Sequence, residues 1–106
     1  MIVTTFSQQA EATEMAQRVI EARAAACAQI EGPIHSHYLW DGKPCQDTEW
    51  RLTMKTTQAA QERLARLVHA HHPYEIPQWS VFTLHSSSLA YATWVCQSVV
   101  ALDEGQ

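Results

Sequence analysis

His35-Ser36-His37 puts two imidazoles two positions apart. On a strand, that spacing projects both rings from one face, where a pair of neutral imidazoles can chelate a borderline metal such as copper or zinc. A third ligand would have to come from elsewhere in the fold or from another subunit, and the competing reading is a pair of half-exposed strand histidines. A second group of chemistry-bearing residues lies in His71-His72-Pro73-Tyr74-Glu75-Ile76-Pro77, where His72, Tyr74 and Glu75 crowd a short connector. Its two prolines stop a helix and hold the exit backbone extended. The connector therefore reads either as a site or as a rigid link carrying polar side chains. With His69 added, the helix end holds three imidazoles, which the helix dipole favours there in a capping role; His69 and His72 are also close enough in sequence to share a ligand. Glu49 and Lys55 fall on one face of the preceding strand. They read as an anion- or ligand-binding pair with Lys55 as the cation, or as a structural ion pair, within one subunit or between two.

The elements that must position these groups follow from periodicity. Residues 2 to 6 alternate as a strand, with Ile2, Thr4 and Phe6 on one face. Ser7 is placed to cap the next element. Ala12, Met15, Ala16, Val19 and Ile20 make one helical stripe, predicting a helix over about residues 9 to 26. From Gln29 to Trp40 the pattern is strand-like, interrupted by Gly32-Pro33, which predicts a bulge or bend. Asp41-Gly42 is a strong hairpin signal. On the return strand, Trp50, Leu52 and Met54 alternate with Glu49, Arg51, Thr53 and Lys55, giving one apolar and one polar face. Thr56-Thr57 caps a second helix over about 58 to 71, with Ala60, Leu64, Leu67 and Val68 on its buried side. Trp79 to His85 is the fourth strand. Ser86-Ser87-Ser88 caps a third helix carrying Tyr91, Trp94, Val95, Val99 and Leu102. The order β-α-β-β-α-β-α, with right-handed crossovers, puts two helices on one face of a four-stranded antiparallel sheet, an α+β ferredoxin-like layout.

At 106 residues the chain is a single domain, 1–106, able to bury roughly two-thirds of its unfolded surface without staples. A net charge of -4 with no Lys/Arg cluster argues against a nucleic-acid partner, whose phosphates demand a basic face. No apolar run approaches the roughly 18 residues of a membrane span. Met1 to Phe6 runs into a polar stretch without a charged leader region, and Cys27, Cys45 and Cys96 are an odd, scattered set of thiols. Both features point to the cytoplasm and reduced cysteines. The chain has only three glycines, none clustered into a phosphate loop, and neither a G-x-S-x-G nor an H-E-x-x-H motif. The loop after Phe6 has no Arg to cradle an acylphosphatase-type anion. These absences narrow the field of enzyme chemistry. The aromatics Trp40, Trp50, Tyr91 and Trp94 read as core or interface first.

The ordered set Ala25-Ala26-Cys27, Tyr38-Leu39-Trp40-Asp41-Gly42-Lys43, Glu49, Lys55-Thr56-Thr57, His71-His72-Pro73-Tyr74-Glu75-Ile76-Pro77 and Tyr91-Ala92-Thr93-Trp94 resembles the CutA family of divalent-cation-tolerance proteins, over roughly Val3 to Val99. The resemblance implies a ferredoxin-like subunit in a homotrimer built like the PII signal transducers. It also implies a cytosolic, non-enzymatic role in tolerance of copper and other divalent cations. The alternative is a PII-like small-ligand sensor holding an anion in a cleft between subunits. Carried onto this chain, the cleft residues are Glu49, Lys55, Trp40, Tyr91 and Trp94. Members with a copper site use a Cys where this chain has Thr4 and a His where it has Ser86, with His85 one residue earlier; Gln78 replaces a common Glu. A long hairpin agrees with self-association, since arms of about 14 residues would project exposed edges beyond a two-helix cover.

Overall fold

A computed structural model describes residues 1–99. Strand β1 (Ile2–Phe6) is buried on both faces. Helix α1 (Gln9–Glu21) sets Ala12, Met15 and Val19 into the core. Strands β2 (Cys27–Trp40) and β3 (Lys43–Lys55) form a long hairpin, followed by α2 (Gln61–His71), β4 (Ser80–Val81) and α3 (Leu89–Ser98). The sheet order is β2-β3-β1-β4, with every neighbouring pair antiparallel, which is the ferredoxin-like arrangement. Ile2, Phe6, Leu52 and Met54 face the helices and meet Met15, Val19, Leu64 and Val68 in one core. A smaller cluster joins Ala60 to Val95 and Val99 of the α3 segment.

Helix α1 ends five residues before the expected position. Arg23 takes a left-handed φ of 54°. Its amide donates to Ile20 O at 2.9 Å, and the Ala24 amide donates to Val19 O at 3.0 Å. This is a Schellman closure, which usually recruits glycine. The freed carbonyls find donors elsewhere: the Arg63 guanidinium reaches Ala22 O and Arg23 O at 3.0 and 3.1 Å, and Thr56 Oγ1 donates to Ala24 O at 2.7 Å. Gln8, not Ser7, occupies the N-cap position, and Ser7 Oγ instead donates to the Glu11 carboxylate.

The hairpin turns through Asp41 (φ 54°) and Gly42 (φ 74°), the doubly positive pair that a two-residue turn requires. The predicted interruption at Gly32-Pro33 is a shift of register between Glu31 and Ile34. A Cβ on Gly32 would stand 2.3 Å from Trp50 Cδ1, so the Trp50 ring occupies the space that the glycine leaves. Helix α2 begins at Gln61, three residues later than expected. Thr57 Oγ1 accepts from the Ala60 amide in the turn before it. The helix stops at His71 because His72, which precedes proline, is extended with ψ 133°.

Strand β4 is two residues long rather than the expected 79–85. It pairs only with Ile2 and Val3, and Phe82 then exchanges terminal bonds with Met1. Helix α3 is capped by Ser88, whose hydroxyl accepts from the Tyr91 amide at 3.2 Å. Of its expected stripe, Val95 and Val99 are buried while Tyr91 and Trp94 are exposed; Leu102 lies outside the described residues.

Candidate functional site

The bulge and the turn together decide which side chains share a face. Counting back from Asp41-Gly42, the pairs are Trp40↔Lys43, Tyr38↔Cys45, Ser36↔Asp47 and Ile34↔Glu49. These alternate positions line the sheet face away from the helices. The connector after α2 folds back over that face, so that Tyr74, Glu75, Ile76 and Pro77 close a recess against Thr5, Tyr38, Trp40, Asp47 and Glu49. It encloses about 760 Å³.

Two residues hold the connector down. His72 sits against β1, its ring stacked on Phe6 with centroids 4.3 Å apart and planes 12° from parallel. Its Nδ1 accepts from the Tyr74 amide at 3.1 Å, so the proton is on Nε2. Nε2–H lies 2.9 Å from Thr5 O, to which it donates, and 3.1 Å from Thr4 Oγ1. No β4 residue pairs with Thr5, so His72 supplies that edge with a partner. Burial pulls the His72 pKa below its ordinary value, against the opposing pull of the bond to Thr5. Tyr74 then reaches across the sheet, and its hydroxyl donates to Glu49 Oε2 at 2.7 Å. Burial, followed by the hydrogen-bonded Glu49 carboxylate, raises the Tyr74 pKa far above the phenol range. Tyr38 is tied to Asp47 in the same way, and that bond raises its pKa to about 12.

The recess carries three carboxylates (Asp47, Glu49 and Glu75), three aromatic rings and no Lys, Arg or His. Its field suits a cation. The residues proposed as a single cleft divide into two groups within one chain. Glu49 and Trp40 belong to this recess, with His72, Tyr74 and Glu75 forming or anchoring its roof. Lys55 shares the strand face of Glu49 but lies six residues along it, about 20 Å away. There Lys55 Nζ donates to Gln29 Oε1 at 2.8 Å. Glu49 and Lys55 therefore do not pair within one chain. Lys55 and Tyr91 line a separate recess with Met1, His85, Ser86 and Cys96, and Trp94 lies against Tyr91 with ring centroids 5.6 Å apart.

The other histidines fall apart from these sites. His69 Nδ1 lies 2.8 Å from Ala65 O within α2, and its ring tilts against Trp79. His35 and His37 pair with Thr48 and Gln46 on the opposite face of the hairpin from the recess, both exposed. Among the described residues no three His, Cys, Asp or Glu side chains gather around a metal-sized position. The family's copper positions do not fit here: Thr4 is fully buried with its hydroxyl against His72 Nε2, while Ser86 lies in the Lys55 recess. A hydroxyl committed in this way does not replace a thiolate as a soft ligand.

Sequence reading missed Tyr38, Cys45 and Asp47 as neighbours of Glu49 and Trp40. The register counted from Asp41-Gly42 would have found them. It also missed the bonds from Tyr74 to Glu49 and from His72 to Thr5, for which no spacing rule exists.

Comparison with known proteins agrees with this fold. The family model "CutA1 divalent ion tolerance protein" matches residues 1–98. The divalent-cation tolerance protein CutA of Escherichia coli is 30% identical over 99 residues, covering 93% of this chain and 88% of the relative. A solved structure described as the PII-like protein CutA from Nostoc sp. PCC 7120 superposes with a TM-score of 0.88 at 27% identity, covering 94% of this chain and 96% of that one. Another, described as the periplasmic divalent cation tolerance protein CutA from Archaeoglobus fulgidus, gives 0.89 at 28% identity, covering 93% and 96%.

Proposed function

The chain belongs to the CutA1 family of divalent ion tolerance proteins, and from that premise we propose that it acts as a non-enzymatic homotrimer in the tolerance of copper and other divalent cations. The observation that carries the assembly is the apolar surface left open by a single chain. Leu39 is 72% exposed and Trp40 53% at the hairpin tip, and Leu89 is 84% exposed and Trp94 45% on α3. Val81, Phe82 and Leu84 are exposed as well. Large apolar side chains in this number on so small a domain mark a surface for association. Three-fold closure is what the family resemblance implies, and it would bring the hairpin of one subunit to the α3 region of another. That would unite the Trp40–Glu49 and Lys55–Tyr91 groups that a single chain separates.

Support for a non-enzymatic role comes from how the polar groups of the recess are committed. Each tyrosine hydroxyl holds a carboxylate, both His72 nitrogens are occupied, and the Cys45 thiol faces Lys43 O at 3.6 Å. The small-ligand alternative takes a defined form on these surfaces. An anion would have to use the side of Lys55 and His85, because the hairpin recess is acidic. Among the described residues no helix is long and apolar enough to cross a membrane. We place the working protein in the cytoplasm, where its three free thiols stay reduced.

Complementation tests the function. In a host deleted for its own family member and sensitised to copper, expression of this chain restores growth on copper, and the protein fractionates with cytoplasmic markers. Expression at normal levels without any recovery would refute the tolerance role.

A further inference from the structure

We infer that His35 and His37 form a bidentate site for one borderline divalent ion, zinc(II) or copper(II), on the helix-side face of the projecting hairpin. The inference takes its choice of ion from the family reading; the chelation itself rests on the geometry. Beyond the bulge at Glu31/Ile34 the ladder is regular, with His35 opposite Thr48 and His37 opposite Gln46. Both rings therefore leave the same face, with Cα atoms about 7 Å apart. That separation lets one nitrogen of each ring approach a shared ion at about 2.0–2.1 Å.

Availability separates this pair from the other histidines. His72 has both nitrogens engaged, and His69 Nδ1 is held by Ala65 O. His71 and His85 stand singly in different recesses. His35 and His37 are exposed and have no hydrogen-bond partner among the described residues, so neither needs to break a bond to ligate. Their cross-strand neighbours Thr48 and Gln46 are neutral. The reverse face of the same hairpin carries Asp47 and Glu49, whose field favours a cation. Imidazole selects zinc and copper over magnesium and calcium, which take oxygen ligands. With no third protein ligand gathered nearby among the described residues, water completes the coordination shell, and the ion exchanges readily.

Zinc chloride titrated into the whole chain, labelled with ¹⁵N at histidine, tests the site at pH 7.5. The imidazole signals of His35 and His37 should move together and saturate at one zinc per chain. His35→Gln should weaken zinc at least tenfold. The transposition Ser36→His/His37→Ser keeps the number of imidazoles but turns one to the opposite face, and it should weaken zinc as much. His71→Gln should change the affinity less than twofold. An affinity unchanged by His35→Gln, or retained in the transposed variant, would overturn the inference; His35→Gln alone decides it if the transposed chain does not fold. The titration uses zinc and no cells, so its failure removes the chelate and leaves the tolerance reading standing.

Discussion

Replacing His72 with leucine should cost stability in a pH-dependent way. Leucine keeps much of the bulk and removes two good hydrogen bonds, from Nε2–H to Thr5 O and from the Tyr74 amide to Nδ1. At about 1 kcal/mol net for each bond, plus about 0.5–1.5 kcal/mol for the stack on Phe6, the loss is about 2–4 kcal/mol. A domain stable by about 5–15 kcal/mol registers that clearly. The pH dependence follows from the tautomer. Protonating the ring places a hydrogen on Nδ1, where the Tyr74 amide already points. Burial also lowers the pKa, with His69 repelling the cation and Glu11 and Glu49 attracting it more weakly. The folded value thus lies below the ordinary one of about 6.5. Above that pH both states are neutral and the contribution is complete. As pH falls below it, the unfolded chain takes up the proton first, and stability drops by up to about 1.4 kcal/mol per pH unit until the folded ring protonates too. Urea unfolding of wild type and His72→Leu, at one fixed protein concentration from pH 7.5 to 5, should show the gap between them narrowing with acid. The remaining histidines titrate in both proteins and cancel. A gap that stays constant or widens would refute the tautomer argument.

Two further substitutions probe the frame around the recess. Gly32→Ala drives a methyl into the Trp50 ring and should destabilise by about 1–3 kcal/mol, with a changed tryptophan emission, because the ring must leave its place; an unperturbed emission and midpoint would show that the bulge does not depend on that contact. Tyr74→Phe removes the hydroxyl that holds Glu49 and should cost about 1–3 kcal/mol while speeding amide exchange in the connector; exchange unchanged across residues 73–78 would show that the bond does not hold the roof.

Much of this architecture is legible in the sequence, and the failures have specific physical causes. The stripes of α1 and α2, the alternation of β3 and the Asp41-Gly42 turn all emerge where local chemistry and tertiary packing agree. The end of α1 does not, because Arg23 occupies a left-handed position normally marked by glycine, with Arg63 and Thr56 satisfying carbonyls from elsewhere in the chain. Strand β4 looks longer in sequence than it is because strand-like residues need a partner, and β1 pairs only with Ser80 and Val81 of that stretch. Face parity correctly put Glu49 and Lys55 together on one side of β3. Parity says nothing about distance along the strand, so within one chain the two do not form an ion pair. Tyr91 and Trp94 follow the helical period as if for burial, yet a single chain leaves them open.

That open surface is where the account is most exposed to test. Multi-angle light scattering on the purified chain at micromolar concentration should give three times the 12.0 kDa chain mass, and Trp94→Glu should shift the population toward smaller species. A stable mass of one chain, unchanged by Trp94→Glu, would contradict the assembly on which the proposed function rests.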